Sequence, residues 1–228
     1  MQPRFRWFNI SPFDHASVVK LAASLQKKVY HQNASTGFNL EIIRKDRIAG
    51  TFTHKREFVE EVRDPFGNLV KVRRIAFDQC NFLVGVNSPN IRLQNFARLG
   101  KRLTETIADA LDYTISITPI EIDPLRWAQC ITDKNTSVSL SALRSFPFEV
   151  SSGIAGSIRL TGSGDIAKEL ERLLGSRKVR ASNIFCTIKK GALEWKVEFR
   201  STGAAVVHKG DYDRIIGPIG DALTCATI

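Results

Sequence analysis

Phe58-Val59-Glu60-Glu61-Val62-Arg63-Asp64-Pro65-Phe66-Gly67-Asn68-Leu69-Val70-Lys71-Val72-Arg73-Arg74 is two β-prone runs hinged on a turn. Asp at the first position, Pro at the second and Gly at the fourth are the preferences of a type I turn. Residues 58–63 and 68–77 therefore read as the strands of a hairpin with its tip near Asp64, and residues 38–44 and 81–86 read as further apolar strands. This part of the chain is expected to be an antiparallel sheet.

Helical patterns flank it. Residues 4–10 read as a short strand. Ser11-Pro12-Phe13-Asp14 reads as a helix start, with Ser11 as N-cap, Pro12 at the first helical position and an acid in the first turn. Val18, Leu21, Ala22, Leu25 and Val29 follow at the spacing of a buried stripe, with an end expected near Asn33. Beyond the sheet, residues 90–111 read as a second helix. Leu93, Phe96, Leu99, Leu103, Ile107 and Leu111 lie on one arc, and Arg98, Lys101 and Arg102 on the opposite one. Residues 113–122 alternate as a half-buried strand.

After a stretch of strands and loops, a similar order reads again. Residues 157–160 are a strand, and Asp165 caps a helix with Ile166, Leu170, Leu173 and Leu174 inward, stopped at Gly175. Residues 183–189, 193–201 and 204–208 form a meander. Asp211 caps a last helix with Tyr212, Ile215, Ile216, Ile219 and Leu223 inward. Gly217-Pro218 predicts a kink or break there, because an interior proline costs ~3 kcal/mol. The expected fold is α+β, two similar lobes, each an antiparallel sheet backed by amphipathic helices in a repeated β-α-β-β-β-α order. Residues 1–125 would be the N-terminal lobe, 126–156 connecting strands and loops, and 157–228 the C-terminal lobe. In element order alone this resembles the two-lobed saddle of TATA-binding proteins; no residue motif accompanies the resemblance, and it implies nothing about individual residues.

Charge bears most directly on function. In 228 residues, 33 Lys and Arg oppose 23 Asp and Glu, for a net +10. The excess is shared evenly: residues 1–125 carry 18 basic and 13 acidic side chains, and residues 126–228 carry 15 and 10. A spread basic surface attracts polyanions, of which nucleic acid is the commonest in a cell. The basic clusters are Arg44-Lys45 with Arg47, Lys55-Arg56, Lys71 with Arg73-Arg74, Arg98 with Lys101-Arg102, Arg177-Lys178 with Arg180, and Lys189-Lys190. Such side chains contact backbone phosphates without reading sequence. Lys71 and Arg73 share one strand face and Arg74 takes the other. Phe52, Phe66 and Trp195 lie near these clusters as candidate stacking platforms for unpaired bases.

Other chemistry is sparse. Gly162-Ser163-Gly164-Asp165 stands before a helix but has no following Lys-Ser or Lys-Thr, so it is no nucleotide-binding P-loop, and Asp165 reads as a cap. Glu121 and Asp123 share a strand face, with Asp78 as a possible third ligand for Mg²⁺. Glu194-Trp195-Lys196 matches the last element of a nuclease motif, but equally any one-sided antiparallel strand. His54 stands among cations where metal-free RNA cleavage would want it. No residue is assigned as catalytic or metal-binding, and no cofactor is expected. Cys80, Cys130, Cys186 and Cys225 are widely spaced in apolar surroundings and read as reduced, buried thiols. No run approaches the ~20 apolar residues of a membrane helix, and the start of the chain does not read as a signal peptide. A cytoplasmic location is expected.

The expected function is non-enzymatic nucleic-acid binding through the phosphate backbone, as a subunit of a larger defence, recombination or processing complex. Its partners would be DNA or RNA and other protein subunits, with no membrane. The alternatives are a scaffold subunit meeting an acidic protein, and a metal-dependent nuclease or RNA-processing enzyme using Glu121/Asp123 or His54.

Overall fold

The structure, a computed structural model, describes residues 2–132, 135–163, 166–174 and 179–226. Along the chain lie β1 (Arg4–Ser11), α1 (His15–Gln26), β2 (Thr36–Ile43), β3 (Arg47–Arg63), β4 (Leu69–Gly85), β5 (Ile91–Gln94), α2 (Gly100–Ala110), β6 (Ser116–Pro119) and α3 (Pro124–Ile131). Then come β7 (Thr136–Ser145), β8 (Phe148–Ser151), β9 (Ile154–Gly156), β10 (Arg159–Thr161), α4 (Ile166–Leu174), β11 (Ala181–Lys190), β12 (Leu193–Arg200), β13 (Ala204–Lys209) and α5 (Tyr212–Ala226).

The expectation of two similar α+β lobes is overturned. The protein is mostly β, 48% strand and 24% helix, with one eleven-stranded antiparallel sheet and a separate two-stranded sheet of β8 and β9. The repeat fails for local reasons. Residues 91–94 do not open a helix; they pair with β4, which buries Ile91 and Leu93. Residues 123–131 are no connecting loop, because Asp123 Oδ1 accepts from Leu125 N at 3.0 Å and Pro124 takes the first helical turn of α3. The element order runs β-α-β-β-β-β-α from β1 to α2 and β-α-β-β-β-α from β10 to α5, but these strands belong to one sheet and not to two similar lobes.

The chain divides into two compact units, one of Met1–Asn9 with Thr118–Ile228 and the other of Ile10–Ile117. In the latter, α1 starts at His15 because Asp14, rather than Ser11, is the cap: its Oδ1 accepts from Ser17 N at 2.8 Å. Val18, Leu21 and Leu25 are fully buried. The helix stops at Gln26, ahead of Asn33, because the chain turns to pair: Phe38 N donates to Lys28 O and Tyr30 N to Phe38 O. β3 and β4 run in unbroken register from Arg47↔Gly85 to Arg63↔Leu69, so the expected short hairpin and its separate third strand are one long ladder. Asp64 Oδ1 closes the tip by accepting from Phe66 N and Asn68 N, and Gly67 there has φ +89°. β2 accompanies β3 only to His54, and β5 accompanies β4 only from Asn81. Residues 55–63 and 69–77 are thus a two-stranded arm. On α2, Leu103 and Ile107 are fully buried.

In the other unit the strand order is β10-β7-β11-β12-β13-β1. One face carries Leu143, Ile184, Phe199, Ala205 and Phe5, buried with the apolar faces of α3 and α5. Trp127 Nε1 donates to Ile219 O at 2.9 Å, which fixes α3 against α5. Helix α5 runs unbroken through Pro218. Burial of Ile215, Ile216, Ile219 and Leu223, at about 1.5–3 kcal/mol each, offsets the proline's ~3 kcal/mol. Cys130 of α3 and Cys225 of α5 form a disulfide with Cα atoms 6.1 Å apart, which corrects the reading of four reduced thiols; Cys80 and Cys186 are free and buried. Among the described residues, no helix is long and apolar enough to cross a membrane.

Candidate nucleic-acid interface

Strand alternation builds the main cationic feature. In β10, β7, β11 and β12, each residue of the apolar row Leu160 (partly buried), Leu143, Ile184 and Phe199 (buried) is next in sequence to a residue on the opposite face. Those neighbours are Arg159, Arg144, Asn183 and Arg200, and they too are cross-strand partners: Arg159↔Arg144, Asn183↔Arg144 and Asn183↔Arg200. The apolar row faces the helices, and a row of three arginines and one asparagine faces away from them. Arg144 and Arg159 are exposed, stand directly opposite each other, and have no ion-pair partner among the described residues. With Phe185 and Glu198 they line an open cleft of about 310 Å³.

Glu198 is the carboxylate of this cleft and is 5% exposed. It accepts from Asn183 Nδ2 at 3.1 Å and from Arg200 Nε and Nη2 at 2.9 and 3.1 Å, with His208 Nε2 at 3.7 Å. Burial pushes its carboxyl up, but the hydrogen bonds from Arg200 and Asn183 outweigh that and hold it below the usual carboxylate range. Glu198 thus fixes Arg200 and Asn183 in place. Phe185 is half-buried in the same face, its ring 5.7 Å from that of His208.

A second cationic group forms at the base of the arm. His54 and Asp78 are opposite each other on β3 and β4. Asp78 accepts from Arg56 Nε, and from Arg98 Nη1 at 3.2 Å, so the hydrogen bond from Arg56, followed by that from Arg98, holds its carboxyl low despite partial burial. Arg102, in the first turn of α2, reaches His54 Nε2 at 2.9 Å. Burial first, then the charge of Arg102, holds His54 below its ordinary value, so at neutral pH the ring is uncharged and Nε2 accepts. The structure thus brings Arg56 and Arg98 together on the Asp78 carboxylate, with Arg102 on the facing His54. Lys101 is exposed beside them, 3.8 Å from Glu105.

The other expected residues are dispersed. Arg44, Lys45 and Arg47 lie at the β2–β3 turn; Arg47 is nine residues along β3 from Arg56, about 30 Å in an extended strand. On the arm, Lys71 lies 3.7 Å from Glu61 and Arg74 3.0 Å from Glu60, so cross-strand acids offset much of that cluster, while Arg73 has no ion-pair partner among the described residues. Lys55 lies 3.0 Å from Glu57. In the other unit, the Arg180 guanidinium lies over Phe146 at 5.8 Å, Lys189 is 3.7 Å from Glu194, and Lys190 is exposed at the β11–β12 turn. Arg177, Lys178, Gly164 and Asp165 lie outside the described residues.

Several readings need correction. Phe52 and Trp195 are each 2% exposed and so unavailable for stacking, whereas Phe66 at the arm tip is 90% exposed. Asp123 is committed to capping α3 and Asp78 to two guanidinium groups, and no group of three or more metal-ligating side chains occurs among the described residues. Glu194 is engaged by Lys209 at 3.1 Å, as on an ordinary solvated strand face. The reading by clusters missed Arg144, Arg159 and Arg200, which are isolated in sequence and come together only through strand pairing. Comparison of the sequence with protein-family models and with curated proteins finds no match.

Proposed function

We propose that the protein binds single-stranded nucleic acid without cleaving it, across the open face of β10, β7, β11 and β12, as a subunit of a larger defence, recombination or processing assembly. The observation that carries this is the directly opposed pair Arg144 and Arg159, neither with an ion-pair partner among the described residues. Like charges facing each other across a sheet are destabilising, so folding gives no reason for them, whereas a backbone phosphate between them would. Asn183 and Arg200 continue the row, and Phe185 offers a ring face to an unpaired base.

Width argues for a single strand. The row spans three strand spacings, about 14 Å, and the sheet extends beyond it, whereas the major groove is about 12 Å wide. The cations at the arm base, with Lys71 and Arg73 on the arm, belong to the other unit and are phosphate contacts in their own right. The cytoplasmic setting expected from the sequence belongs to this proposal; the Cys130–Cys225 disulfide counts against it, since such bonds are rare in reducing compartments.

The test is a binding titration against single- and double-stranded DNA and RNA at several salt concentrations. Single strands of either sugar are expected to bind more tightly than duplexes, with affinity falling steeply with salt. Absence of binding to all four polymers at low salt refutes the proposal and leaves the acidic-protein partner as the reading of this surface.

A further inference from the structure

The arm combines two open edges with apolar residues on both faces. Phe58, Val62 and Val70 lie on one face and Val59, Leu69, Ile75 and Phe77 on the other, all exposed. A two-stranded ribbon of this kind is marginal in water by itself. We propose that the free edge of β3 pairs antiparallel with the same edge of a second copy of this chain, about a two-fold axis at Glu60.

The backbone defines which groups are available. Lys55 N points outward, to Ser35 O, while Asp64 N points inward, to Asn68 O. The ladder between them has no register shift, so residues 57, 59, 61 and 63 direct N–H and C=O groups to the open side. Two copies exchange these bonds only in registers that set odd residues opposite odd ones. Centred on Val59, such a register sets Glu57 against Glu61. Centred on Glu61, it sets Glu61 against itself and Phe58 against Asp64. Centred on Glu60, it sets Glu57 opposite Arg63 and Phe58 opposite Val62, each twice, with Arg56 opposite Asp64. The like pair left at the centre is Glu60 with itself, and each Glu60 has its own Arg74 at 3.0 Å. This register forms about eight inter-chain backbone hydrogen bonds. The other edge, on β4, has more basic than acidic side chains, and its Arg73 has no ion-pair partner among the described residues, so it disfavours pairing with a copy of itself. Association therefore closes as a dimer rather than growing as a fibre.

The test is sedimentation equilibrium of the full chain, for which a dimer with a dissociation constant on the order of micromolar is expected. Val59→Pro removes an outward N–H while leaving the ladder to β4 intact, and the dimer is lost with no change in the circular dichroism spectrum. Glu57→Arg and Arg63→Glu each weaken dimerisation roughly tenfold, and the double exchange restores it. A chain that is monomeric at concentrations on the order of 100 µM overturns the proposal. So does a dimer indifferent to Val59→Pro, failure of the double exchange to restore, or a dimer that forms only when an oligonucleotide is added.

Discussion

Replacing Arg144 and Arg159 together by alanine isolates the feature on which the functional reading rests. Both side chains are exposed and have no ion-pair partner among the described residues, so the change removes two charges without opening a cavity or orphaning a buried group. Stability is expected to move by less than about 0.5 kcal/mol, and upward, because a like-charge pair is relieved. Binding should respond strongly. If Arg144, Arg159 and Arg200 each neutralise one phosphate of a single strand, the row contributes about −2 to the slope of log affinity against log salt. That is roughly a twentyfold loss of affinity between 50 and 200 mM salt. With only Arg200 left, the contribution is about −0.7, or roughly a 2.5-fold loss over the same range. Fluorescence anisotropy with a labelled oligonucleotide at four or more salt concentrations measures both. A double variant that binds with an unchanged slope would falsify the assignment of phosphates to this row.

Three further predictions follow from the same structure. Glu198→Gln should cost about 1–2 kcal/mol by weakening the bonds to Arg200 and Asn183. Because the folded Glu198 carboxyl lies below its ordinary value, its contribution is present above that value and lost as pH falls through the folded one; acid unfolding curves of wild type and variant should converge at low pH. In an NMR titration, Arg102→Ala should raise the His54 pKa and Asp78→Asn should lower it, since Arg102 depresses and Asp78 raises that ring's affinity for a proton; shifts in the opposite sense would break the geometry described for the arm base. Leu103→Ala, at a fully buried site on α2, should cost ~2–5 kcal/mol in denaturant unfolding, and a loss below about 1 kcal/mol would mean that α2 does not pack as described.

What the sequence disclosed was local. The stripe of Val18, Leu21 and Leu25 marks α1, and Asp64-Pro65-Phe66-Gly67 marks the arm tip, because each signal is complete within a few residues. Ile91 and Leu93 suit a helix and a strand equally, and pairing with β4 decides between them. Asp123-Pro124 is a helix-start signal, which the spacing of Glu121 and Asp123 as a carboxylate pair masks. The basic runs were visible but their neutralisation was not: Glu60 and Glu61 meet Arg74 and Lys71 only through the hairpin register. The arginine row is the converse case. Arg144, Arg159 and Arg200 each look like an ordinary outward residue of a one-sided strand, and only the pairing of four strands sets them side by side.

The most direct test of the central claim is photocrosslinking of the wild-type protein to a halogenated single-stranded oligonucleotide at low salt, with the attached peptides identified by mass spectrometry. The account predicts attachment on the open sheet face, at Phe185 and its neighbour His208, and its loss in the Arg144→Ala, Arg159→Ala double variant. Attachment confined to the arm residues around Phe66, with the sheet face untouched, would contradict it.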